Sequence, residues 1–217
     1  MTTSATPCAR LRSLVQGKGD NFGIAVPRAH RLAARIQERE WEAFTCDPTQ
    51  LANGLRDLAD AVAPDGLAVC LDDVLLEAGP VVLGSPQYAA ALEATRRLKA
   101  SMGERAVLVA CLPGPRHVTG GSDALLEIGK AFLGAGIDAL VVLAEDGETA
   151  DLATLANIAR FHQALALGST GGLGLPAVEL MPLDMPRAAR GLALTDCHLP
   201  RETDITELED WVDTVRG

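Results

Sequence analysis

Short apolar runs of strand length alternate along this chain with longer amphipathic segments of helix length, and no other feature constrains the fold as tightly. The apolar runs fall at residues 22–26, 66–71, 106–111, 139–143, 164–167, 177–181 and 192–195. A strand buried on both faces reads as such a run, without the polar alternation of a half-exposed strand. Between them the spacing predicts helices over 10–16, 48–62, 86–102, 123–133, 152–162 and from Asp204 onward. Asp47, with Pro48 behind it and Gln50 reaching back, reads as a helix start, as do Ser122 and Asp204 with Glu207. Strands separated by helices specify a parallel sheet with right-handed crossovers. The expected fold is α/β, a TIM-barrel-like (β/α)8 in one domain over 1–217. It is truncated or incomplete, because seven strand candidates stand where a closed barrel has eight.

Composition sharpens this expectation and removes some functions. Hydrophobic residues make up 48% but aromatics only 3%, so the core has to be packed with Ala, Val and Leu. A net charge of −10, with no run of Lys or Arg, argues against nucleic acid, whose phosphates need a clustered basic surface. Cys8, Cys46, Cys70, Cys111 and Cys197 contain no C-x-x-C pair, which is reduced, cytoplasmic usage. The N-terminus lacks the apolar segment of a signal peptide, and no uninterrupted apolar stretch is long enough to span a bilayer. The chain therefore reads as cytoplasmic, with no membrane partner. A trimmed barrel leaves apolar surface to cover, and a homodimer is the expected remedy.

In a barrel of parallel strands the chemistry sits at the C-terminal ends of the strands. The stretch 65–79, DGLAVCLDDVLLEAG, ends its strand on Asp72 and Asp73. Successive strand residues point to opposite faces, so one of the two carboxylates faces the axis, unless either caps the turn that follows. After the first strand come Arg28, His30, Arg31 and Arg35. Arginine grips carboxylates bidentately, so Arg28 and Arg31 are candidates for an anionic substrate. The alternative for Arg31 and Arg35 is a solvated helix face paired with Glu38 and Glu42. Arg116 and His117 follow the rigid P-G-P turn at 113–115, and His30 and His117 each suit proton transfer near neutral pH or plain solvation. Glu145 and Asp146 end the fourth strand, as further carboxylates at the mouth or as loop solvators. The loop Gly168–Gly174 (GSTGGLG) is an anion cradle or a flexible link, and it lacks the lysine of a P-loop.

The sequence L-D-D-V-L at 71–75 resembles the F-S-D-I-L strand end of uroporphyrinogen decarboxylases. P-R-A-H-R at 27–31 is similar to that family's M-R-Q-A-G-R. The stretch 106–118 is similar to its strand and G-x-P-W-T loop, and 134–147 to its E-A-G-A-D strand. Together these cover about the middle two-thirds of the chain. The resemblance implies that Asp73 is the catalytic carboxylate, stabilising a protonated substrate; His117, where the family carries aromatic and hydroxyl residues, is a second catalytic candidate from its place after a strand end. It further implies that Arg28 and Arg31 bind an anionic polycarboxylate without a cofactor; His30, Asp72, Arg116 and Glu145 join them as substrate-binding candidates by their places after strand ends. Arg28 and Arg31 are three apart where the family spaces its arginines by four, and the single tyrosine, Tyr88, lies on a predicted helix.

A divergent decarboxylase-like lyase is the expectation, rather than the housekeeping haem enzyme. A related branch, the corrinoid and folate methyltransferases, holds zinc through His-x-Cys and a distant Cys. Here Cys197, His198 and Cys111 would have to serve, and adjacent strand residues diverge. No metal site is predicted. A non-catalytic binding or partner protein is the alternative from a different class.

Overall fold

The computed structural model describes residues 5–17, 23–70 and 83–217. Strands β1 (Ile24–Val26), β2 (Gly66–Cys70), β3 (Val107–Pro113), β4 (Ala139–Leu143), β5 (Leu165–Gly168), β6 (Glu179–Met181) and β7 (Leu192–Thr195) form two parallel ladders. One runs β2-β3-β4-β5 and the other β1-β7-β6. Hydrogen bonds cross both seams between them. At β1/β2 the Asp65 N–H donates to the Ala25 carbonyl (3.1 Å), and the Asp65 carboxylate accepts from the Ala25 N–H (3.0 Å). At β5/β6 the Gly168 N–H donates to Pro176 (2.9 Å), and the Val178 N–H to Gly168 (3.0 Å). The strands thus follow one another round in chain order, as α/β folds of TIM-barrel type do.

The period of two divides the strand residues between two cores. Ile24, Val26, Ala68, Val107, Val109, Cys111, Ala139, Val141, Leu192 and Leu194 pack together inside the ring. Their alternates, such as Ala25, Leu67, Leu108, Ala110, Leu140, Val142 and Ala193, pack outward against the helices. Interior residues this small explain how a chain so poor in aromatics fills its centre. Helix α1 (Pro7–Val15) sets Cys8 and Leu11 into the inner cluster.

The outer helices are α2 (His30–Ile36), α3 (Trp41–Cys46), α4 (Pro48–Val62), α5 (Pro86–Met102), α6 (Gly121–Ala135), α7 (Ala153–Phe161) and α8 (Ile205–Arg216). Side chains cap three of them, at Asp47 and Asp204 as the sequence led one to expect and at Ser85 besides. Asp47 accepts from the Thr49 and Gln50 amides (2.7 and 3.2 Å), Ser85 from Tyr88 (3.2 Å) and Asp204 from Thr206 (2.7 Å). The Gln50 side chain donates to the Asp47 carboxylate (3.3 Å), which tightens the same cap.

Ser122 differs from its expected role. The Gly120–Gly121 turn, with φ of +95° and +61°, starts α6 before it, so Ser122 lies inside the first turn and Gly120 takes the cap position. The crossovers between β5, β6 and β7 contain only the 3₁₀ turn Gly171–Leu173, so the helical layer is missing on that side. Among the described residues the large apolar side chains left exposed are Leu83, Phe161 and Met185, which stand on separate segments. No helix among them is long and apolar enough to cross a membrane.

Candidate functional site at the mouth of the ring

The C-terminal ends of the strands enclose a cavity of about 270 Å³. Each strand end delivers its residues by the same mechanism: the apolar run stops and the next residues turn into a loop over the opening. β1 supplies Arg28, and β3 supplies Pro113 and His117. β4 gives Glu145 and Asp146, β5 gives Ser169 and Thr170, and β7 gives Asp196.

His117 ends the 3₁₀ turn Pro115–His117, which Pro115 preorganises and which the bond from the His117 N–H to the Gly114 carbonyl (3.0 Å) closes. This geometry brings His117 Nε2 to 3.2 Å from Glu145 Oε1. An ionised carboxylate can only accept, so Nε2 donates in the neutral ring and Nδ1 keeps its lone pair.

Arg28 is buried, at 6% exposure, and held by the end of β7. Its N–H donates to Thr195 Oγ1 (3.0 Å) and its Nε to the Thr195 carbonyl (2.9 Å), while its own carbonyl accepts from Leu199 (2.9 Å). These bonds orient the guanidinium in the same wall as Asp196. The described lining residues hold that one guanidinium and the three carboxylates of Glu145, Asp146 and Asp196.

The loop after β5 is built for packing as well as for access. Ser169 Oγ accepts from the Ala144 N–H (2.9 Å) and donates to the Ala144 carbonyl (3.0 Å), tying two adjacent loops together. The amides of Gly168 and Ser169 donate to Pro176 and Val142 (2.9 and 3.0 Å), so these two are spent on the fold and not offered to an anion. Thr170 Oγ1 is buried at the cavity wall without a hydrogen-bond partner among the described residues.

The other residues singled out in the sequence stand elsewhere. His30 is buried in the first turn of α2, and neither it nor Arg31 is among the described residues lining the cavity. The Arg31 guanidinium lies 4.5 Å above the Trp41 ring. Arg35 donates to the Thr203 carbonyl (2.9 Å), tying α2 to the chain before α8. The Arg116 side chain is exposed, and its amide points inward. Asp72 and Asp73 lie outside the described residues.

Cys197 is exposed. Partial burial, the neighbouring Asp196 and its hydrogen bond push the thiol above its usual range. Among the described residues no group of three or more His, Cys, Asp or Glu side chains gathers as a metal site would require.

A residue the sequence did not single out lies beneath the mouth. Glu148, 2% exposed, accepts from the Arg116 N–H (2.8 Å) and the Glu145 N–H (3.3 Å). The only local signal is its position three after Glu145 in an acidic loop, and nothing in that pattern marks it as buried.

No protein-family profile and no curated protein matches the chain. Solved structures do. A methyltransferase from Methanosarcina mazei is similar over 97% of this chain and 98% of its own, with a TM-score of 0.67 at 11% identity. A dihydrodipicolinate synthase from Bacillus clausii is similar over 77% of this chain and 47% of its own, with a TM-score of 0.38 at 15% identity. At such identity the first likeness defines a shared fold, and the fold hosts many chemistries.

Proposed function

We propose that the protein is an enzyme that binds a carboxylate-bearing small molecule at the mouth of the ring and transfers a proton there, in a decarboxylase-like carbon–carbon bond cleavage. The observation that carries this reading is the His117–Glu145 pair, 3.2 Å apart, in a cavity whose lining also includes Arg28. Arg28 would anchor one substrate carboxylate, preoriented by Thr195 so that little side-chain freedom is lost on binding. Three carboxylates around one guanidinium repel further anionic arms. The lining therefore favours a substrate with a single carboxylate, or with a compensating cationic group, over the many-armed polycarboxylate expected from the sequence.

In the cleavage, the bond to the departing carboxylate carbon breaks and its electron pair stays on the remaining carbon. His117, protonated by solvent and held by Glu145, returns a proton to that carbon. Asp73 enters on the resemblance alone, as the anion that stabilises a cationic substrate form. None of these steps calls for a metal or an organic cofactor.

The test is a screen for carbon dioxide release from porphyrinogens and small mono-, di- and tricarboxylic acids, followed by His117→Gln on whatever turns over. The expected loss in kcat is about 10² to 10⁴-fold, the range for removing a general acid. Full activity in that variant would remove the pair from the chemistry. Methyl transfer, the other chemistry the resemblance implies, would instead reveal itself as thermal stabilisation by zinc, a corrinoid or a folate. Where neither turnover nor such stabilisation is found but a carboxylate still binds, the non-catalytic reading takes its place. Analytical ultracentrifugation addresses the homodimer, which stands as a proposal beside these.

A further inference from the structure

Among the described residues Glu148 is the most deeply buried carboxylate near the mouth, and it is not among those lining the cavity. Its two oxygens are divided between two loops. Oε1 takes the amide of Arg116, the residue before His117, and Oε2 takes the amide of Glu145 itself. Its own N–H donates to the Glu145 carbonyl (3.1 Å), closing a turn through Gly147 at φ +78°. The carboxylate rests against Gly114, where a Cβ would overlap it, and the Glu148 carbonyl rests against Gly172 in the next loop. Among the described residues no cationic side chain forms an ion pair with it, and a buried charge without one is costly. Two charge-assisted bonds to backbone amides offset part of that cost, and both fall on the backbone carrying the histidine–carboxylate pair.

We propose that Glu148 is a positioning residue: by clamping the Arg116 and Glu145 amides together, it fixes the distance between His117 and Glu145. This rests on the reading of that pair as the proton-transfer group. A carboxylate is required because two acceptors are needed. A carboxamide of the same shape offers one acceptor and turns a donor toward the second amide. Among the described residues, the other charged groups lining the cavity with the pair are Asp146 on its own loop, Arg28 after β1 and Asp196 after β7.

The experiment is side-chain NMR on the full chain without substrate, comparing wild type, Glu148→Gln and Glu145→Gln. In wild type the His117 ring should show a nuclear Overhauser contact with the Glu145 side chain and an order parameter in the rigid range, about 0.85. In a Glu148→Gln protein that keeps a dispersed amide spectrum, the contact should be lost and the order parameter should fall toward the flexible range, below about 0.6. An unchanged ring in that variant overturns the positioning role while leaving the pair intact. Absence of the contact in wild type instead overturns the pair, and the role with it. Should Glu148→Gln fail to fold, hydrogen exchange in wild type decides: the Arg116 and Glu145 amides should be protected well beyond that of Asp146, and equal exchange rules the clamp out.

Discussion

At the N-terminal end of the ring, Asp65 accepts from both Arg10 and Arg216, Lys99 lies 2.6 Å from Asp138, and Arg12 grips Glu104 through two bonds of 2.9 and 2.6 Å. A cleft of about 280 Å³ opens among the last two pairs, slightly larger than the one at the mouth, yet each of these charges already has an opposite partner. At the C-terminal mouth, Arg28 lines one cavity together with Glu145, Asp146 and Asp196. Charge is paired at one end, while among the described residues lining the other, carboxylates outnumber guanidinium groups. Cavity size barely distinguishes the two ends, whereas charge balance separates them.

The largest test of this contrast is Asp65→Ala. Asp65 is 1% exposed, sits at the β1/β2 seam and binds two arginines and the Ala25 amide. Its removal should cost about 3–5 kcal/mol in urea unfolding, the range for breaking a buried ion pair from one side. A loss no greater than that of a surface pair would end the claim that this face anchors the fold. Next in size is Gly114→Ala at the mouth, where the added methyl would meet the Glu148 carboxylate. A cost of about 1–3 kcal/mol in the same measurement is expected for such overpacking. An unaffected midpoint would mean that the loops over the mouth yield freely.

Two smaller effects sharpen the N-terminal side through pH. Burial, then the nearby Asp138, raises the Cys8 thiol from 9.0 to about 11. The folded state thus prefers the neutral thiol: this contribution is whole below pH 9.0 and is lost as pH rises toward about 11. Cys8→Ala should therefore flatten the alkaline fall of the unfolding midpoint, and an identical alkaline profile would refute the assignment. Smallest is Glu104→Gln. Hydrogen bonding to Arg12 holds the Glu104 carboxyl below its usual 4.5. Its stabilisation is present above that value and disappears as pH falls through the lowered one. The variant should differ slightly from wild type at neutral pH and low salt and match it in acid or high salt, as an exposed pair does. A difference that persists in high salt would show a stronger linkage than the geometry implies.

Much of the architecture was legible because it depends on short-range physics. The limits of α5 were readable from Ser85-Pro86 at its start and Gly103 at its end. The runs at β4 and β7 were readable because a doubly buried strand has no polar position to blur its edges. Ser122 misled because two glycines in left-handed conformations begin the helix earlier, and their φ values are set by the turn out of the 3₁₀ segment. Arg35 was expected to meet Glu38 and Glu42; a carbonyl 168 positions away takes it instead.

By itself the sequence determined the class of fold and the order of its strands, since periodicity and capping act within a few residues. Which side chains meet was decided by the tertiary structure. His117 and Glu145 are 28 positions apart, Arg28 and Thr195 are 167 apart, and Glu148 owes its burial to glycines on two neighbouring loops. Contacts of that span depend on how the ring brings its strand ends together, and no local pattern encodes a distance across it.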